Sequence, residues 1–105
     1  MSTTEEFIEY VYEQIYDIGN IRYQKMFGEY MVYVNDKPIL LVCDDTVFVK
    51  QLDCIKHQMS DAETGFPYKG AKEHYILDID NTELCFEIIK ILEQVIKVPK
   101  PKKRK

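Results

Sequence analysis

Tryptophan is absent from this chain, histidine occurs twice, and the three cysteines stand far apart at Cys43, Cys54 and Cys85. Each shortage removes a class of chemistry. The cysteines show no CxxC spacing, and neither His57 nor His74 lies near a cysteine at ligand spacing, so neither a metal site nor a cofactor is expected. An odd number of thiols cannot all pair. Cys43 falls in an apolar strand pattern and Cys85 in an apolar helix pattern, where a free cysteine behaves as a small buried hydrophobe, as in a reduced cytosolic protein. Glycine is also scarce, and Gly65 and Gly70 are not followed by the Gly-Lys-Ser or Gly-Lys-Thr of a phosphate-binding loop. No apolar run approaches the roughly 20 residues that cross a bilayer. The opening Met1-Ser2-Thr3-Thr4-Glu5-Glu6 has neither the positive start nor the apolar centre of a secretory signal, so a cytoplasmic protein without membrane contact is expected.

What is present is enough for one core. A chain of 105 residues with 46% hydrophobic side chains is one domain by length and needs no metal or disulfide to fold. The net charge of −4 conceals a split. Residues 1–98 hold 18 acidic and nine basic residues, a net −9, whereas residues 99–105 hold five basic residues and no acidic one. An acidic body repels a phosphate backbone, so duplex binding through the folded domain is disfavoured.

The stretch from Arg22 to Lys50 organises the rest. Apolar and aromatic residues alternate there, broken at Gly28, at Asn35-Asp36-Lys37-Pro38 and at Asp44-Asp45, and this pattern predicts an antiparallel meander. Tyr30, Val32 and Val34 fall on one face, Met31, Tyr33 and Asn35 on the other. Val47 and Val49 face opposite to Phe48 in the same way. Asn35-Asp36 can take the positive backbone angles of a tight reversal, Pro38 removes a ladder donor where the next strand begins, and Gly28 suits a bulge or a close backbone approach.

Helices flank the meander. Thr3 and Glu6 have capping-box spacing ahead of the stripe Phe7, Val11, Ile15 and Ile18, widened by Ile8, and Gly19-Asn20 suits a left-handed cap. Leu52, Ile55 and Met59 predict a short middle helix to about Ala62. A short strand is expected at Phe66 to Tyr68, and another at His74 to Ile79 with Tyr75, Leu77 and Ile79 on one face. Asp80 and Glu83 repeat the capping spacing before a last helix reaching about Lys97. Its stripe of Leu84, Ile88, Ile91 and Val95 is broadened by Cys85, Ile89, Leu92 and Ile96, so more than one side needs cover, from the chain itself or from a second copy. The fold class is therefore α+β: a two-layer arrangement of an antiparallel sheet, the meander plus one or two later strands, packed against N- and C-terminal helices. The domain spans 1–98, and the proline-interrupted basic run 99–105 is expected to be a disordered tail.

Lys25-Met26-Phe27-Gly28-Glu29-Tyr30, Tyr33, the tract Leu41 to Lys50 and Phe66-Pro67-Tyr68 together resemble the N-terminal domain of the TfoX (Sxy) competence regulators, over roughly Glu5 to Gln94. That resemblance implies an α+β domain. Complete regulators of that family carry a second, helical domain and act as bacterial transcription coactivators beside a cyclic-AMP receptor protein; the resemblance here is to the first domain alone. It implies a protein partner in the transcription machinery.

The residues themselves announce no catalytic set. Asp44-Asp45 could hold a hard cation, but aspartates at a reversal commonly satisfy backbone donors. Glu29 could be aimed into a cleft or could pair with Lys25 or Arg22. His57 and His74 have no neighbouring nucleophile arrangement, and surface positions are expected for both. A non-enzymatic interaction module is thus the leading expectation, with Met26, Phe27, Gly28, Glu29, Tyr30 and Tyr33 as the partner-binding set and a monomer or homodimer as its state. A rival reading makes Lys100, Lys102, Lys103, Arg104 and Lys105 a weak, nonspecific nucleic-acid tether. A ligand-binding or enzymatic alternative would need Glu29, His57 or His74 to meet in a deep pocket.

Overall fold

In the computed structural model, residues 3–26 and 29–98 are described. The alternation read in the meander becomes four strands, β1 (Ile21–Met26), β2 (Glu29–Val34), β3 (Lys37–Cys43) and β4 (Thr46–Lys50). Both reversals close as the aspartates and asparagine suggest: Asn35 and Asp36 take φ of 52° and 68°, Asp44 and Asp45 take 52° and 55°. Two successive positive φ values match the twist of the flanking strands, which is why these pairs hold two-residue hairpins. Two further short strands, β5 (Thr64–Gly65) and β6 (His74–Ile76), complete an antiparallel sheet of order β1-β2-β3-β4-β6-β5.

Pro38 leaves its mark on the register. Val32 stands opposite Leu40 while Tyr33 stands opposite Pro38, so β3 carries an irregularity containing Ile39. A proline lacks a ladder donor, and the extra residue lets pairing resume around it.

Helices α1 (Glu5–Ile15) and α2 (Thr82–Val95) supply a second layer. Ile8, Val11 and Ile15 of α1 and Cys85, Ile88, Ile89 and Leu92 of α2 are buried in one cluster with Tyr30, Val32, Val34, Leu40, Val42, Val47 and Val49 of the sheet. The broad apolar stripe of α2 is largely accounted for within the chain: its centre meets the sheet, Leu84 and Ile91 are half-buried against the same core, and Val95 is left exposed. Ile55 and Met59 close the cluster from the segment after β4.

Several boundaries differ from the sequence expectation, each for a local reason. The cap of α1 is Thr4, whose hydroxyl accepts from Phe7 N at 3.1 Å. Thr3 is instead buried: its hydroxyl donates to Val42 O and accepts from Asp45 N, both at 3.3 Å. The cap of α2 is Asn81, accepting from Leu84 N at 3.2 Å, while Asp80 receives the Tyr10 hydroxyl. Helix α1 ends at Ile15 and no left-handed cap forms at Gly19-Asn20; a Cβ at Gly19 would lie 3.0 Å from the Asn35 amide oxygen, so that side chain would have to give by a few tenths of an ångström. The middle helix contracts to a single 3-10 turn at Asp53–Ile55 followed by further turns, yet still buries Ile55 and Met59. Strand β5 lies just before Phe66, and Phe66 and Tyr68 are exposed in a loop; Pro67 is the buried residue of that trio. Strand β6 stops at Ile76, although Leu77 N still bonds Val47 O at 2.9 Å. The bulge expected at Gly28 and the tail at 99–105 lie outside the described residues.

Candidate functional site

Strand alternation divides the sheet into two unlike faces. Val32, Leu40, Val42, Val47 and Val49 point to the helices, so Met31, Leu41 and Phe48 point away from them. These three stand in direct cross-strand register, Met31 opposite Leu41 and Leu41 opposite Phe48, and the line continues to Ile76. They are apolar and no helix covers them; Met31 and Leu41 are half-buried, whereas Phe48 is only 6% exposed beneath the rest of the open face.

The open face is not flat. The segment between β5 and β6 folds over its β4 end, anchored by buried Pro67, and encloses a groove of about 760 Å³. Met31, Leu41 and Phe48 form its floor, with Tyr68 and His74 at one side and Lys50, Lys72 and Glu73 at the rim. The Phe48 and His74 rings meet edge to face with centroids 6.3 Å apart, and His74 Nδ1 lies 2.7 Å from Lys72 O, which fixes the imidazole at the groove wall. Gly65 lies behind this corner, where a Cβ would touch Phe48 and Ile76 at 3.4 Å. Among the described residues neither Lys50 nor Lys72 makes an ion pair.

The sequence-nominated partner residues divide between the faces. Met26 stands opposite Glu29, and Tyr33 opposite Arg22, so Met26, Glu29 and Tyr33 lie on the open face, half-buried, along its β1 and β2 side. They meet the groove at Met31. Tyr30 belongs to the other side: it is 4% exposed, packs in the core and meets the Tyr23 ring edge to face at 5.7 Å, which removes it from any contact surface. Phe27 and Gly28 lie outside the described residues, as do Lys100, Lys102, Lys103, Arg104 and Lys105.

The ionic arrangements also differ from expectation. Arg22 pairs with Asp36 at 3.5 Å and stacks over Tyr33, 4.1 Å from its centroid, rather than reaching Glu29. Glu29 lies beside Cys43, whose thiol is pushed up to about 12 by burial first and by that carboxylate second. Burial, then Asp78 and Asp80, pushes Cys85 equally far. Thiols held protonated in this way are poor nucleophiles and metal ligands. Asp44-Asp45 is a structural turn: Asp45 Oδ1 accepts from Thr4 N at 3.0 Å, placing a carboxylate at the positive end of α1. A turn away, Lys37 Nζ donates to the Glu93 carbonyl in the last turn of α2 and to its carboxylate at 3.2 Å. The hydrogen bond from Lys37, then that from Asn35, holds Glu93 below the ordinary carboxylate range.

A second cleft, of about 540 Å³, opens beside α2 and β6. Asp45, Asp61, Glu63 and Asp78 line it, with no basic residue among its lining. Glu29, His57 and His74 do not converge: His74 lines the groove, whereas Glu29 and His57 line neither cleft. Among the described residues, no three His, Cys, Asp or Glu side chains cluster to hold a metal ion, and no helix is long and apolar enough to cross a membrane.

The groove was invisible in the sequence because Tyr68 and His74 reach Phe48 only through the tertiary path of the loop between them. The available signal was weaker. Leu41 and Phe48 are apolar residues on strand faces opposite to the valines, and a strand with apolar residues on both faces implies something to cover each.

No family model matches the chain. It is similar to an uncharacterized 12.7 kDa protein from the trpE 5' region of Spirochaeta aurantia, 28% identical over 107 residues that span 100% of this chain and 93% of the relative.

Proposed function

We propose that this chain is a non-enzymatic interaction module, similar to the N-terminal domain of TfoX (Sxy) regulators, that contributes to bacterial transcriptional or competence regulation through protein contacts in the cytoplasm. The observation that carries the reading is the open sheet face: a cross-strand apolar line, Met31, Leu41 and Phe48, left uncovered by the helices and continuous with Met26 and Tyr33. Apolar surface gathered in one place and rimmed by charge is what a protein partner buries. The candidate acid-base groups are dispersed and the buried thiols are held protonated, which favours docking over catalysis.

Partner capture from native cytosol tests this. Replacing Met31 by Lys and Tyr33 by Ala should abolish recovery of a transcription factor or polymerase subunit while leaving the circular dichroism spectrum intact. Unchanged capture by that folded variant, or recovery of metabolic enzymes in place of transcription proteins, would overturn the reading.

The charge split supports a second reading, in which the five basic residues of 99–105 tether the domain to nucleic acid. Retention on duplex DNA would then fall with salt on a log-log slope no steeper than about −4.5. Deletion of Lys100 to Lys105 should abolish that retention.

A further inference from the structure

The groove differs in charge from the body around it. Residues 1–98 carry a net −9, yet the groove rim brings together Lys50 and Lys72 against the single acid Glu73. Neither lysine makes an ion pair among the described residues, so both ammonium groups remain available. Between them lies an aliphatic and aromatic floor whose volume, about 760 Å³, falls in the range of sites that enclose a compact ligand or several side chains.

We infer that this groove binds an acidic peptide segment of a partner protein, with apolar side chains seated on Met31, Leu41 and Phe48 and flanking carboxylates reaching Lys50 and Lys72. The inference rests on the interaction-module reading and supplies the chemistry of the partner. Charge complementarity selects this occupant over the others. The chain's own tail would bring five positive charges to a positive rim. A nucleic-acid strand carries a charge on every phosphate, of which two lysines offset by Glu73 can match few, whereas a peptide can place its carboxylates at Lys50 and Lys72 alone. A second copy would bring another body of net −9 whose charge is spread over its whole surface, whereas a short peptide brings only the carboxylates that the two lysines can pair.

Selection from a random display library of short peptides on the immobilised full chain gives the test. Enriched peptides should combine net negative charge with at least two large apolar residues. One of them, fluorescently labelled, should shift backbone resonances of Leu41, Phe48, Lys50 and Lys72 and should bind more weakly as salt is raised. Reversal of both rim charges, Lys50→Glu with Lys72→Glu, alters exposed residues only. It should lower affinity for the acidic peptide by about tenfold or more and turn the selection toward basic peptides. Enrichment without charge bias would overturn the inference, as would resonance shifts confined to another face. Displacement of the peptide by single-stranded oligothymidylate, or by unlabelled chain acting as a second copy, would also overturn it. Cytosolic capture with the same double variant separates the two claims. Transcription-protein capture that survives charge reversal but is lost with the Met31 and Tyr33 substitutions removes the acidic ligand and leaves the module; capture that the Met31 and Tyr33 substitutions leave unchanged removes the module itself.

Discussion

Leu40 and Leu41 are chain neighbours with opposite surroundings. Leu40 is 1% exposed and belongs to the core cluster beneath the helices although it also borders the groove, and Leu41 lies half-buried on the groove floor. The helix-covered face is sealed, whereas on the open face Met31 and Leu41 stay partly wet although Phe48 and Cys43 beside them are buried. Stability and the proposed recognition surface thus fall on opposite sides of one strand, and the period-2 geometry of the backbone keeps them separate.

The largest test of this division is truncation of each leucine. Leu40→Ala should cost about 2–5 kcal/mol in urea unfolding, as loss of a buried leucine does. Leu41→Ala should cost about 1 kcal/mol or less while weakening partner binding, because part of that side chain is already hydrated. Equal losses for the two would break the comparison. Next comes the seam that fastens α1 to the sheet. Thr3→Val keeps the side-chain shape but leaves Val42 O and Asp45 N without the hydroxyl, and should cost about 1–2 kcal/mol. A neutral result would mean that the helical layer is held by apolar packing alone.

A smaller, pH-dependent effect belongs to Glu93. Its folded-state pKa is lowered, so its stabilising contribution is present above the ordinary glutamate value of about 4.3 and disappears as pH falls through the folded-state value. Glu93→Gln should therefore lower the melting temperature slightly at neutral pH, with the difference closing in acid; a gap that widens in acid would contradict the Lys37 contact as its source. The smallest expected contrast is between thiols. Cys43 lies beside Glu29 at the end of β3 and Cys85 lies on the buried side of α2, but burial pushes both up to about 12. A maleimide at neutral pH should leave both unmodified in the native protein and label them once urea unfolds it. Rapid native labelling of Cys43 alone would show that its side of the sheet opens.

Local chemistry was readable where few residues suffice to impose it. The hairpin turns could be located because Asn35-Asp36 and Asp44-Asp45 tolerate positive φ, and the buried face of β2 because Tyr30, Val32 and Val34 alternate with less buried neighbours. Cap positions could not be fixed by spacing alone. Thr3 and Thr4 are chemically identical, and only the approach of the Asp44-Asp45 turn commits the first hydroxyl to Val42 and Asp45, leaving the second to cap the helix. Tyr30 shows the same limit from the functional side: its place in a distinctive motif suggested a contact residue, while alternation, applied strictly, puts it in the core.

By itself the sequence determined the α+β class, the meander, its two tight reversals and the faces of its strands, since those follow from backbone sterics and side-chain alternation within a few residues. Only tertiary structure decided that β6 pairs with β4 and β5 adds outside it, that the loop after β5 buries Pro67 between two exposed aromatics, and that Lys50 and Lys72 rim one groove. The β4–β6 pairing and the Lys50–Lys72 rim join residues more than 20 positions apart. Such contacts form only when the whole core offsets the entropy of closing the intervening chain, a balance that no local pattern contains.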